Sequence, residues 1–158
     1  MIESNSERTV KQYTQKLNAP PDKVFPLLCP TMEYKWIQPW KCQMIYSQSG
    51  YAEENCVFKT DFPQDIEPET WIVSQYELNK TIQFIRFNSA VVIRHNIFLI
   101  DNGNGTTDAI FEQTVTGLSE KGNKYVDDYT DEAYFEESSM LEKMLNYYLE
   151  TGTMLKIF

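Results

Sequence analysis

The amino-acid sequence predicts one α+β domain, residues 1–158, in which a curved antiparallel sheet of about six to seven strands wraps around one long C-terminal helix. The first observation is a series of strand-like segments between residues 40 and 118 that no helical pattern interrupts. Such consecutive strands become antiparallel neighbours. The second is a change to a helical repeat of apolar residues after Gly122. The third is a pair of short helices expected after the first strand.

The N-terminal part supplies that first strand and the short helices. The strand is predicted over residues 8–17, with Tyr13 and Leu17 on one face. The proline pair at 20–21 ends it, because proline lacks the backbone donor that strand pairing needs. The same pair suits a first helical turn, so two short helices are expected within residues 22–37.

The central part reads as consecutive strands separated by clusters of Gly, Asn, Asp, Pro or Ser. Ser49-Gly50 and Asn79-Lys80 are typical of hairpin turns between such strands. The predicted strands cover residues 40–46, 56–62, 70–78, 82–87, 91–100 and 106–118.

The C-terminal part predicts a single helix over residues 127–151. Its acidic residues cluster between 127 and 137, where negative charge is favourable near a helix N-terminus. Apolar residues recur at spacings of three and four, which places them on one face of the helix, towards the sheet. This apolar stripe consists of Ala133, Met140, Leu141, Met144, Leu145, Tyr148 and Leu149.

The composition argues against several functions. The formal net charge of −9 and the absence of any Lys/Arg cluster disfavour binding to nucleic acid or to anionic membranes. The chain has one histidine and scattered cysteines, so no zinc pattern appears, and no nucleotide-binding motif is present. Neither a metal nor a cofactor is expected.

The compartment is predicted from the cysteines and the N-terminal segment. Cys29, Cys42 and Cys56 are odd in number and form no CxxC pair, which favours reduced thiols and a cytoplasmic location. The first ten residues lack the apolar core of a signal peptide. No apolar run reaches the length of a membrane span.

Residues 16–42, KLNAPPDKVFPLLCPTMEYKWIQPWKC, carry a family resemblance. They resemble the entry segment of the START-like and Bet v 1-like superfamily (SRPBCC domains), which includes polyketide cyclases and Hsp90-activator domains. Residues 145–152, LNYYLETG, are similar to the ending of many bacterial members. The matching residues of the entry segment are Ala19, Pro20, Val24, Phe25, Leu28 and Trp36.

The resemblance implies a helix-grip fold whose sheet and long helix enclose a cavity for lipids, sterols, polyketides or plant metabolites. It implies no catalytic residue of this chain, because members place their acids, bases and ligand contacts differently.

His95, the only histidine, shares a strand face with Val91, Ile93, Ile97 and Leu99. This apolar face predicts that His95 points to the core or cavity. There the imidazole either hydrogen-bonds a carbonyl ligand, shuttles a proton, or is a core histidine satisfied by a neighbouring protein group.

Arg86 is unusual because it shares a face with Ile82 and Phe84. Three roles are open for its guanidinium: anchoring a ligand carboxylate, pairing with Glu112 across the sheet, or extending to solvent.

Further candidate ligand contacts are large side chains. The resemblance implies that Trp36 lies near the family's pocket mouth, and packing of the short helices on the sheet is the favoured alternative for the large tryptophan side chains. Methionines adapt to varied ligands, although a helical stripe of this kind is also ordinary core. The complete set of candidate ligand-binding residues is His95, Arg86, Tyr13, Trp36, Trp71, Met140, Met144 and Tyr148.

Three functions are compatible with these features. The first is binding of a small hydrophobic molecule, such as a lipid, polyketide or aromatic metabolite, between sheet and helix. The second is a cyclase- or dehydratase-like enzyme in the same cavity, with Tyr13 or His95 as acid–base and Arg86 polarising a carbonyl. The third is an Hsp90-activator-like interaction domain acting through its surface.

Overall fold

The structure, a computed structural model, describes residues 5–157. Within this range the strands form one seven-stranded sheet in the order β1-β7-β6-β5-β4-β3-β2. Every neighbouring pair is antiparallel, as the short turns predicted. The strands are β1 Arg8–Leu17, β2 Cys42–Tyr46, β3 Val57–Thr60, β4 Glu69–Glu77, β5 Thr81–Phe87, β6 Val91–Asp101 and β7 Thr107–Gly117.

Short helices follow β1 and longer ones follow β7. Helix α1 spans Pro21–Val24 and continues into a 3₁₀ turn at Phe25–Leu28, and a second 3₁₀ turn covers Glu33–Lys35. Helices α2 and α3 span Glu120–Asp128 and Asp131–Thr151. The predicted helix-grip architecture is thereby confirmed. No helix within residues 5–157 is both long enough and apolar enough to cross a membrane.

The prediction of one helix over residues 127–151 is wrong at its start. Tyr129 and Thr130 are extended and separate α2 from α3. The Thr130 hydroxyl accepts a hydrogen bond from the Ala133 backbone N–H at 3.1 Å, which satisfies one of the free donors at the start of α3. The acidic segment is therefore divided between two helices, and the Thr130 side chain caps the second of them.

Helix α2 approaches the sheet at a glycine. A Cβ atom placed on Gly122 would lie 1.7 Å from the Ala90 carbonyl oxygen, just before β6. Glycine is therefore the residue that fits at this crossing.

Helix α3 also covers the free edge of β1. The Lys16 backbone N–H donates to the Glu142 carboxylate at 2.5 Å, and the Asn18 N–H donates to the Asn146 side-chain oxygen at 2.9 Å. In return, the Asn146 amide nitrogen donates to the Lys16 carbonyl at 2.9 Å. These contacts satisfy edge groups that an exposed strand would leave available for pairing with another chain.

The face of α3 that meets the sheet differs from the predicted stripe. Met144 and Leu145 are buried with the sheet core, but Met140 is 38% exposed, so its assignment to the sheet-facing side is wrong. Tyr134 and Ser138 occupy the buried face instead, at a spacing of four residues. Because serine is polar, the apolar repeat did not predict that Ser138 is buried.

Candidate functional site

A box of aromatic side chains surrounds His95 on the concave face of the sheet. The ring centroid of His95 lies 6.0 Å from that of Phe84, 6.0 Å from Phe111 and 6.3 Å from Trp71. Strand register explains the arrangement, because Phe84 stands directly opposite His95 on β5. The two-residue alternation of β4 and β7 turns Trp71 and Phe111 to the same side.

His95 has a strongly lowered pKa, although part of its side chain is exposed. Burial, followed by the nearby charge of Arg86, lowers the pKa of His95 to about 3. The side chain is nevertheless only half-buried. The ring is therefore shielded by its aromatic neighbours without being fully enclosed by protein. The predicted apolar surroundings of His95 are confirmed.

One ring nitrogen of His95 has a protein partner. The Gln113 side-chain nitrogen lies 2.9 Å from Nδ1, and the two residues are directly opposite on β6 and β7. The other nitrogen, Nε2, makes no hydrogen bond with any residue in the described range.

Arg86 is paired within the protein. Its Nη1 donates to Glu69 Oε1 at 2.8 Å, and its Nη2 donates to Gln113 Oε1 at 3.4 Å. The guanidinium also lies 4.9 Å from the centre of the Trp71 ring. Because the side chains of Arg86 and Glu69 are only 14% and 3% exposed, this is a buried ion pair.

Two of the roles considered for Arg86 are therefore wrong. Its side chain does not extend into solvent. Its carboxylate partner is Glu69, and Glu112 lies on the opposite face of the sheet because strand alternation turns it away from Gln113.

Asp65 adds a second carboxyl group near this ion pair. Its Oδ2 atom, in the loop between β3 and β4, is buried and has no hydrogen-bond partner among the described residues. Burial, and then the Glu69 charge, raise the pKa of Asp65 to about 6, against the opposing effect of Arg86. The Nε atom of Arg86 is likewise buried without a partner there.

The two tryptophans of the predicted site have different surroundings. Trp71 forms a wall of the aromatic box, and its indole N–H donates to the Thr60 hydroxyl at 2.8 Å. Trp36 is buried, and its N–H donates to the Leu27 carbonyl at 2.8 Å, which ties the two 3₁₀ turns together. The structure thus places Trp71 with His95 and gives Trp36 a packing contact.

Tyr13 lies on the edge strand β1, directly opposite Phe111 of the aromatic box in the pairing with β7. Its hydroxyl donates to the Glu142 carboxylate at 2.8 Å, and burial followed by this bond raises the pKa of Tyr13 to about 12. It lines a groove of about 330 Å³ beside the ion pair of Lys11 and Asp131.

The three candidate residues on α3 have different surroundings. Met144 is buried and Tyr148 is partly buried against the core cluster that contains Trp71 and Phe84. Met140 lies on the exposed side of α3 and does not join them.

Several site residues escaped the sequence analysis. Gln113 and Glu69 are polar residues on strand faces, and only the pairing register shows that they meet Arg86 and His95. Side-chain alternation along β7 does place Gln113 on the same face as Phe111, so its position on the core face could have been predicted from the sequence.

Glu33, in the second 3₁₀ turn, is a further carboxyl group that the sequence analysis did not single out. Its side chain is half-buried and makes no hydrogen bond with the described residues. Burial, and then the neighbouring Cys29 thiol, raise its pKa well above the ordinary value. Such surroundings favour the protonated form of a carboxyl group.

Metal-binding clusters of His, Cys, Asp or Glu are absent from residues 5–157. Cys29, Cys42 and Cys56 are all free thiols.

A separate groove lies at one end of the sheet. This open groove of about 890 Å³ is lined by the turn between β4 and β5 and by residues 98–101 at the end of β6. None of the residues of the aromatic box or of the Arg86 ion pair lines it.

No family model and no curated protein matches this chain. Solved structures do. A point mutant of norcoclaurine synthase from Thalictrum flavum, in complex with a transition-state analogue, superposes with a TM-score of 0.66 and 10% identity, covering 93% of this chain and 99% of that chain. The chain has a Bet v 1-like fold.

Two further structures share this Bet v 1-like fold. An uncharacterized protein from Rhizobium leguminosarum has a TM-score of 0.65 and 13% identity, over 92% of this chain and 97% of that chain. DynU16, from the dynemicin biosynthetic locus, has a TM-score of 0.57 and 17% identity, over 91% of this chain and 48% of that chain. At these identities the similarity establishes the fold alone.

Proposed function

We propose that this protein binds a small hydrophobic, aromatic ligand between the concave face of the sheet and α3. The observation that carries the proposal is the environment of His95. Its half-buried ring stands among Trp71, Phe84 and Phe111 with one nitrogen unpaired. Binding sites commonly have apolar walls and a few placed polar groups.

Each part of this site has a distinct role in binding. The three aromatic rings provide flat apolar surface for a planar ligand, and such rings stabilise one another in offset or edge-to-face contacts. Met144 and Tyr148 of α3 belong to or pack against the core cluster that contains Trp71 and Phe84, and in this proposal the flexible methionine adapts to ligand shape. His95 supplies the polar contact that orients the ligand.

Arg86 acts on this site indirectly. Because Glu69 balances its charge and Gln113 accepts from its second nitrogen, the guanidinium is engaged before any ligand arrives. We therefore assign Arg86 to holding Gln113, in place of anchoring a ligand carboxylate.

The structural neighbours support a small aromatic ligand. Norcoclaurine synthase was solved in complex with dopamine and hydroxybenzaldehyde, two small aromatic molecules. DynU16 belongs to a biosynthetic locus.

A binding assay with a panel of neutral aromatic compounds tests the proposal. Ligands that bind only the folded state raise the melting temperature, and a concentration 100 times Kd stabilises by about 2.7 kcal/mol. His95→Phe should abolish most of the selectivity among compounds while preserving the aromatic surface. Trp71 fluorescence should change on binding, because its ring is a wall of the site.

The open groove provides the matched control. Phe98→Ser alters that groove, which does not include the aromatic box, and should leave ligand affinity unchanged. If Phe98→Ser weakens binding and His95→Phe does not, the ligand occupies the outer groove and the proposal is wrong.

An enzyme is the second candidate, and Glu33 is the observation that favours it. Its carboxyl group makes no hydrogen bond with the described residues, and burial raises its pKa, which is the direction that a general acid requires. The discriminating measurement is turnover of a bound compound, which Glu33→Gln should abolish without loss of binding. A bound compound that is never converted supports the binding function alone.

A further inference from the structure

We propose that Gln113 fixes the tautomer of His95, so that Nε2 carries the proton and the site selects ligands with a hydrogen-bond acceptor over ligands with a donor. This inference rests on the proposed binding function and specifies its ligand class. It follows from the order of donors and acceptors along Glu69, Arg86, Gln113 and His95.

The first step concerns the Arg86 guanidinium, which can only donate hydrogen bonds. A guanidinium has N–H donors and no acceptor, and it stays protonated in proteins. The buried contact with Glu69 at 2.8 Å holds the Arg86 guanidinium in place. Its Nη2 atom then donates towards the side chain of Gln113.

The second step sets the orientation of the Gln113 amide. The oxygen must face Arg86 to accept, 3.4 Å from Nη2, so the nitrogen faces His95. The flipped amide would place two donors, the guanidinium and the amide NH₂, against each other inside the protein. A buried donor without an acceptor is destabilising, so the flipped form is disfavoured.

The third step sets the imidazole. The Gln113 nitrogen can only donate, so Nδ1 of His95, 2.9 Å away, is the acceptor and carries no proton. A neutral ring bears its single proton on the other nitrogen. The lowered pKa of His95, about 3, agrees with a ring that stays neutral at physiological pH.

The consequence is a free N–H group among aromatic rings. A ligand carbonyl or ether oxygen can accept from it, whereas a ligand N–H group would face another donor. A ligand carboxylate finds no uncompensated positive charge, because Glu69 already balances Arg86. The site therefore favours neutral aromatic compounds with an acceptor oxygen, such as aromatic ketones.

The tautomer can be measured without any ligand. His95 is the only histidine, so long-range proton–nitrogen NMR of histidine-labelled full-length protein gives ring signals that need no assignment. We expect a protonated Nε2 and an unprotonated Nδ1 at pH 7, unchanged down to pH 5. A proton on Nδ1, or two protonated nitrogens at pH 7, would overturn the inference.

Selectivity is tested with three planar tricyclic probes of matched size. Fluorenone presents an acceptor, carbazole presents a donor and fluorene presents neither. We expect wild-type protein to bind fluorenone about tenfold more tightly than carbazole, the ratio that one well-placed hydrogen bond produces. Equal affinities would overturn the selectivity. Failure of all three probes to bind would instead contradict the proposed function, whatever the NMR result.

A single substitution should reverse the preference. In Gln113→Glu, a carboxylate accepts both from Arg86 and from Nδ1–H of His95, which leaves Nε2 as an acceptor. At pH 8.5, which favours a neutral ring, this variant should bind carbazole more tightly than fluorenone and show a protonated Nδ1. Gln113→Met, of similar length but unable to hydrogen-bond strongly, should reduce the preference without reversing it. If Gln113→Glu has a protonated Nδ1 but still binds fluorenone more tightly than carbazole, the tautomer of His95 does not set the selectivity and the inference is wrong.

Discussion

The guanidinium of Arg86 donates to the carboxylate of Glu69 across 2.8 Å, between strands β5 and β4 at a site that water barely reaches. Their charges compensate each other where neither would be stable alone. Loss of one partner leaves an unpaired buried charge, and this cost exceeds the net contribution of the intact pair.

Glu69→Ala should therefore lower the free energy of unfolding by about 3–5 kcal/mol. Urea denaturation measures this loss. Glu77→Ala, which breaks the exposed 3.3 Å pair with Lys80, is the control and should cost less than about 1 kcal/mol. Similar losses in both variants would show that the Arg86 site is open to solvent.

Two methionines on α3 test which side of the helix meets the sheet. Met144 is 4% exposed and Met140 is 38% exposed. Met144→Asp buries a carboxylate without a partner and should cost several kcal/mol. Met140→Asp should cost about 1 kcal/mol or less, mainly through helix propensity. Thermal and urea unfolding of both variants measures the difference, and the reverse order would contradict the packing of α3.

Asp65 should make stability depend on pH. Its folded pKa of about 6 is above the unfolded value of about 3.9, so the folded protein retains a proton that the unfolded chain releases between these pH values. The contribution of Asp65 to stability therefore falls as pH rises from 4 to 6 and stays lower above pH 6.

Asp65→Asn removes this effect. Relative to wild type, the variant should be more stable by about 1 kcal/mol at pH 7.5, a figure reduced for partial exposure, and nearly equal at pH 4. Each comparison is made at a single pH, because His95 contributes the opposite trend. The unfolded chain protonates His95 below about pH 6.5 and the folded protein does not until about pH 3, so that contribution falls as pH falls. A variant that is less stable than wild type at pH 7.5 would disprove the role given to Asp65.

Gly122→Ala tests the contact between α2 and the sheet. The added methyl group would stand 1.7 Å from the Ala90 carbonyl oxygen, so the helix must move away. We expect a loss of about 2 kcal/mol or more in the free energy of unfolding. Lys121→Ala, at the exposed neighbouring position, should change it by less than about 0.5 kcal/mol. An unaffected Gly122→Ala protein would mean that α2 is not docked as described.

Most of the fold could be predicted because its signals are local. Strand alternation, turn residues and the helical repeat each depend on neighbours within a few positions. The break at Thr130 was missed, although a hydroxyl residue before Asp131 is itself a local start signal. The acidic run on both sides of Thr130 obscured it.

The candidate site was predicted in part. His95 and Arg86 were identified because polar residues on apolar strand faces are conspicuous in the sequence. Glu69 and Gln113 were not, because their significance comes from partners 17 and 27 positions away. Whether the predicted residues contact a ligand stays a prediction.

The amino-acid sequence by itself determined the order of the strands and of the long C-terminal helix, and it placed His95 and Arg86 on largely apolar strand faces. Only the tertiary structure decided that Glu69 neutralises Arg86 and that Gln113 bridges Arg86 to His95. The physical reason is the range of the interactions. Backbone propensity and side-chain alternation act along the chain, whereas a hydrogen bond between strands requires a pairing register that the whole sheet sets together.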